Sequence, residues 1–272
     1  MFNVIRIVIA EVRRELLRAR AYWLEVVADQ VLFTVGFLLL SGLFYLVTEG
    51  EYGNLARLAS LVGFVIWRVA DGCILRTVDG LSDDAQAGTL EQIWLSGVSP
   101  QLVLLARSAA ILLYHCMRGL LLVVVIMLLL QITPAFPPGT AMGTIGAGLL
   151  IFLLTQVGAF GLSYVIAGLH LAYKNVAALT LAVSTALLFL SGALAPVDGA
   201  PVLITLSRAL PLTLGIALCR QLATGEIIWS QLRQQPDFYW LLVNTAVYGL
   251  LGWQVLEWGQ RLARRDGSLA HY

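Results

Sequence analysis

Long apolar stretches decide what this chain can fold into. A bilayer's hydrocarbon core is about 30 Å thick and takes about 20 apolar residues of helix to cross. Apolar runs of that order fall at 27–48, 55–79, 102–131, 140–170, 175–195 and 238–258. Charged residues are 12% of the chain, against about a quarter in an ordinary soluble domain. The second run carries Arg68, Asp71, Arg76 and Asp79, yet it reads as a span. Without it the crossings are odd in number and the basic ends fall on opposite sides. The expected fold is therefore an all-α integral membrane protein with six transmembrane helices, and residues 1–272 form one transmembrane domain. Arg6, Arg13, Arg14, Arg18 and Arg20 interrupt the first residues, which do not read as a secretory signal.

Orientation follows from arginine and lysine near span ends. The first segment holds five arginines, the tail at 259–272 holds Arg261, Arg264 and Arg265, and Lys174 lies between the fourth and fifth runs. With six spans these segments share one side, expected to be the cytoplasm, which places the chain in the cytoplasmic (inner) membrane with both termini inside. Arg208, Arg220 and Arg233 in the segment 196–237 depart from that rule.

Two segments are neither spans nor plain loops. Over residues 1–25, Ile5, Val8, Ile9, Val12, Leu16, Ala19 and Trp23 recur at helical spacing and form one stripe. Glu11, Arg13, Arg14, Glu15, Arg18 and Arg20 fill the rest. An arginine-rich face opposite an apolar one ending in Trp23 suits a helix lying in the membrane interface. Residues 196–237 are broken by Pro196, Pro201 and Pro211 yet apolar at 202–206 and 210–218. They read as two short re-entrant helices on the external side before the last span, shielded by neighbouring spans.

The segment between the second and third runs carries Thr89, Leu90, Glu91, Gln92, Ile93, Trp94 and Leu95, then Gly97 and Pro100. Thr89 and Gln92 have capping-box spacing, and Gly97 and Pro100 end the helix. A helix over 89–97 needs something to pack against. Either it docks on a partner, or it lies on the membrane with Trp94 as an anchor. Within the second span, Arg68, Asp71, Arg76 and Asp79 fall within about 140° of one helical face. Arg68–Asp71 and Arg76–Asp79 are i,i+3 pairs, and Asp71 is the expected partner of Arg118 in the third span. Charges at that depth face protein or a wet cavity. The bland reading is a salt-bridge network ordering two spans; the functional one is a polar patch on a transport path or a proton site. Gly139, Gly143 and Ala147 have small-xxx-small spacing, which favours close helix packing.

The order of these parts resembles the ABC type 2 permeases, the membrane subunits of type V ABC exporters. The resemblance rests on Glu91-Gln92-Ile93-Trp94-Leu95-Ser96 with Val98-Ser99-Pro100, and on Leu194-Ala195-Pro196, Leu210-Pro211-Leu212 and Arg220-Gln221-Leu222 before the last span. It implies that Thr89 to Leu95 form the coupling helix that docks on a nucleotide-binding subunit. The interfacial helix, with Arg13, Arg14, Arg18, Arg20 and Trp23, would brace the same subunit. It also implies two ATPase chains and a second permease, as homodimer or heterodimer, within the lipid bilayer. No Gly-x-x-x-x-Gly-Lys-Ser/Thr loop is present, so ATP and Mg belong to the partner ATPase and this chain holds no cofactor. Nucleic acid is not an expected partner. The chain resembles drug- and lipid-type members, so the expected cargo is amphiphilic or hydrophobic. The other readings are a permease for a polysaccharide or other polymer precursor, a secondary transporter, and a membrane-embedded enzyme. The last has no His-Glu-x-x-His, Gly-x-Ser-x-Gly or paired-aspartate motif to support it.

Overall fold

The computed structural model of the chain describes residues 2–47, 53–89, 92, 100–132, 141–173, 176–195 and 201–265. Among these residues the regular structure is all helical: α1 Phe2–Ala21, α2 Trp23–Val47, α3 Asn54–Gln86, α4 Pro100–Leu130, α5 Ala141–Tyr173, α6 Ala177–Leu190, α7 Pro201–Ala209, α8 Thr213–Thr224 and α9 Pro236–Arg265. A 3-10 turn at Trp229–Gln234 precedes α9.

Among the described residues four helices are long and apolar enough to cross a membrane: Trp23–Leu46, Asn54–Asp84, Gln101–Leu130 and Ala141–Tyr173. They match the first four expected spans. The region expected as a fifth span, 175–195, holds a helix of only 14 residues followed by turns. At 1.5 Å per residue it rises about 21 Å, short of a bilayer core of about 30 Å. The expected sixth, 238–258, lies inside the 30-residue α9, where Asn244, Gln254 and Glu257 dilute the apolar character. Helices α7 and α8 form a pair bent by 95° that is long and apolar enough for a span only when joined.

Burial separates the helices into a centre and a rim. In the most apolar stretch of α3, 67% is buried inside the protein, against 17% in α2 and 28% in α4. Leu39, Leu46, Leu120 and Leu128 are among the apolar side chains left exposed on α2 and α4. Continuous apolar surface of this extent belongs in contact with lipid tails. The chain is a multi-pass membrane protein.

Helices α5 and α9 approach closest. A Cβ on Gly252 would overlap the carbonyl oxygen of Gly161, and one on Gly259 that of Gly168. Both glycine pairs are seven residues apart and ascend together, so the two helices run parallel. The expected close-packing run at Gly139, Gly143 and Ala147 does not do this. Gly139 lies outside the described residues, and Gly143 makes room for the Trp229 indole. Helices α2 and α3 are joined by rings instead, with Phe37 and Phe64 centroids 5.2 Å apart and Phe33 and Trp67 6.0 Å apart.

The bend between α7 and α8 frees carbonyls that lipid could not satisfy. Residues of α9 take them. The Asn244 amide donates to the carbonyls of Arg208, Ala209 and Leu210 at 3.3, 3.3 and 3.2 Å, and the Tyr248 hydroxyl donates to Ala209 at 3.1 Å. Arg220 of α8 is buried and donates to the carbonyls of Ala59 and Ala193, both at 2.8 Å. A guanidinium spent on backbone carbonyls is a structural tie. This accounts for one of the arginines that breaks the charge rule for orientation.

Candidate functional site

The charged residues gather where α1 and the start of α2 lie along the α3–α4 pair. Two layers can be distinguished. The first is a ring. Asp84 at the end of α3 meets Arg107 of α4 at 2.5 Å and Arg14 of α1 at 3.3 Å. Glu11 of α1 meets the same two arginines, each at 3.6 Å. Two cations and two anions alternate, so each charge has two counter-charges, and α1, α3 and α4 are joined at one point. The Thr89 hydroxyl reaches back to the Asp84 carbonyl and carboxylate, both at 3.2 Å. The head of the segment 89–97 is thereby tied to the ring.

The second layer is deeper. Arg76 of α3 donates to both carboxylate oxygens of Glu15, at 3.0 and 2.8 Å, a bidentate geometry that favours arginine. Asp29 of α2 receives Arg68 of α3 at 2.6 Å and also Arg118 of α4. Arg68 stands 3.8 Å over the Phe33 ring. Asp71 lies 3.7 Å from Arg68 and accepts the Ser184 hydroxyl of α6.

These contacts correct the pairing expected within the second span. Arg118 pairs with Asp29 rather than Asp71. Arg76 pairs with Glu15 rather than Asp79, which is exposed and makes no ion pair among the described residues. The i,i+3 pair Arg68–Asp71 is present, but Asp29 is the closer partner of Arg68. The helical spacing ranks neighbours on one helix only; the stronger partners come from α1 and α2. Glu15 is 4% exposed, so the polar face of α1 is not uniformly solvated: its carboxylates turn inward. The apolar edge of Ile5, Ile9, Leu16 and Trp23 stays exposed, as do Arg13, Arg18 and Arg20. Gln92 is exposed. Leu90, Glu91, Ile93, Trp94 and Leu95 lie outside the described residues.

Sequence reasoning missed Glu11, Glu15, Asp29, Asp84 and Arg107 as members of the network. Asp29 and Arg107 could have been found. Each is an isolated charge inside an apolar run, and such residues face the protein interior and need a partner.

The ring gives a prediction. Asp84→Asn leaves Arg107, 7% exposed at its side chain, with only the longer Glu11 contact among the described residues. The expected cost is about 2–3 kcal/mol, read as a lowered melting temperature of the purified protein. Asp83 is 53% exposed at its side chain, and Asp83→Asn is expected to cost under about 1 kcal/mol. Equal melting temperatures for the two variants would show that the ring carries no such load.

A cavity of about 410 Å³ opens beside the deeper layer, between the α1–α2 junction and the α3–α4 pair. Glu15, Asp29, Arg68, Arg76 and Arg118 form part of its wall.

The profile of the ABC-2 type transporter family matches residues 7–223, from the first helix to the end of the bent pair. No curated protein matches the chain. The family match takes in most of the chain, including the ring, the cavity and the segment 89–97, and it agrees with the apolar helices: the chain belongs to the ABC-2 type transporter family, whose members are membrane permease subunits served by an ABC ATPase.

Proposed function

We propose that this chain is the permease subunit of an ATP-driven exporter, with two copies of a separate ATPase supplying the free energy and a second permease completing the path. The single observation that carries the coupling part of this reading is Thr89 bonded to Asp84, which is shared by Arg14 and Arg107. A push on the segment 89–97 reaches α1, α3 and α4 through that carboxylate. In this reading ATP and Mg are held by the partner chain. Closure of the ATPases moves the two coupling helices, and the spans of two permeases shift to pass cargo outward.

Six crossings follow if α6 with the turns after it counts as the fifth and α9 as the sixth. The bent pair α7–α8 then dips in from the external side. Both termini face the cytoplasm, the side of the ring, and the membrane is the inner one. An amphiphilic or hydrophobic cargo, drug- or lipid-like, suits the apolar spans.

Purification of the tagged protein in mild detergent is expected to bring down an ATPase chain. Changing Leu90, Ile93 and Trp94 together to Ser is expected to remove it while leaving the permease folded. A preparation free of ATPase that still transports by itself, and stops when a protonophore collapses the ion gradient, would overturn the proposal in favour of a secondary transporter.

A further inference from the structure

The cavity beside the deeper layer measures about 410 Å³, inside the range of about 300–1,000 Å³ usual for small-molecule sites. Charge of both signs lines it, but the two signs are not equally available. Each of its arginines is already held by a carboxylate: Arg18 by Asp83, Arg76 by Glu15, and Arg68 and Arg118 by Asp29. An anionic ligand would meet guanidinium charge already shared with these carboxylates. The carboxylates are not all spent. Glu25 at the start of α2 and Asp79 on α3 line the same cavity, are exposed, and form no ion pair among the described residues.

Two further observations bear on a ligand, the first on its presence and the second on its charge. His115 lines the cavity, is 7% exposed, and its Nε2 has no hydrogen-bond partner among the described residues. A buried imidazole nitrogen left unpaired costs free energy unless a ligand or water meets it. Tyr22 and Tyr114 add aromatic rings to the wall, and ring faces attract organic cations. Carboxylates without an ion pair and the Tyr22 ring are on offer, whereas every arginine of the wall touches a carboxylate and only Arg76 Nη1 and Arg118 Nε keep buried N–H groups without a hydrogen bond among the described residues.

We propose that this cavity binds the positively charged head of an amphiphile, an organic cation of the ammonium or phosphonium class. Glu25 and Asp79 neutralise the charge, Tyr22 faces it, and Val26 and Leu75 give its apolar part a wall. Only the step of calling that cation a cargo rests on the exporter reading; the binding site stands apart from it.

The test uses the full chain in nanodiscs of uncharged lipid, with empty nanodiscs subtracted. The probes are tetraphenylphosphonium and its anionic counterpart of the same shape, tetraphenylborate. The wild type is expected to bind the phosphonium saturably and to show no saturable site for the borate. The double variant Glu25→Gln, Asp79→Asn removes two carboxylates that form no ion pair among the described residues, and is expected to weaken phosphonium binding about tenfold or more. Unchanged affinity in the double variant, or saturable borate binding by the wild type, would overturn the inference. A chain that holds its ATPase but ignores the phosphonium overturns this inference alone. Phosphonium binding by a chain without an ATPase overturns only the exporter reading.

Discussion

Asp29→Asn is expected to cost the protein about 3–5 kcal/mol, because it strands two arginines at once. Arg68 and Arg118 both end on this carboxylate, and their side chains are only 12% and 17% exposed. Removing one member of a buried charge group leaves the others desolvated and unpaired, which is worse than removing the whole group. Arg68 retains Asp71 at 3.7 Å; among the described residues Arg118 retains only the Val26 carbonyl at 3.4 Å and the Tyr114 ring. The double variant Asp29→Asn, Arg118→Leu is therefore expected to recover at least half of the loss. Melting temperature and folded yield after detergent extraction measure both effects. A single variant as stable as wild type would mean that lipid headgroups or water, not Asp29, compensate the arginines.

Gly161→Leu is expected to be about as damaging, by a different route. A side chain there meets the backbone of Tyr248 and Gly249 on α9. Backbone cannot turn aside as a flexible side chain does, so the helices must separate and the contacts along both are lost. Overpacking of this kind costs about 1–3 kcal/mol, occasionally more, and here the displaced atoms are all main chain. Gly36 and Gly42 of α2 provide the control. A Cβ at either meets nothing within 4 Å, so Gly36→Ala and Gly42→Ala are expected to be neutral or slightly stabilising through helix propensity. Thermal unfolding of the three variants side by side checks the contrast; a Gly161→Leu protein as stable as Gly42→Ala would rule out the close approach.

The membrane class and the first four spans were legible because length and hydropathy act locally: a run of 20 apolar residues has one good solvent wherever the rest of the chain goes. The break before the last span was legible for the same reason, since proline acts on its own backbone. The charge network was not. Arg76 and Glu15 lie 61 positions apart, and Arg118 and Asp29 lie 89 apart. Nothing in the spacing of α3 announces a partner that only the fold of α1 and α2 can deliver, so the i,i+3 neighbours Asp71 and Asp79 took the place of Asp29 and Glu15. The glycine contacts of α5 and α9 were missed for a related reason. Small residues at four-residue spacing around Gly143 have the spacing of a packing motif, while Gly161 and Gly168, seven apart, pack only because Gly252 and Gly259 match them from another helix.

That match has a mechanical consequence. Where two helices touch through interdigitated side chains, they can slide by small rotamer changes. At the two glycine pairs there are no side chains to rearrange. A shift of one residue would drive the Cβ of a neighbouring residue into main chain, and the nearest register that sets glycine against glycine, Gly161 on Gly249, lies three residues, about 4.5 Å, along the axis and restores one pair only. Helices α5 and α9 are thus locked against axial slip and must travel as a single rigid strut. Whatever rearrangement the protein undergoes has to pass between this strut and the loosely buried α2 and α4, not within it.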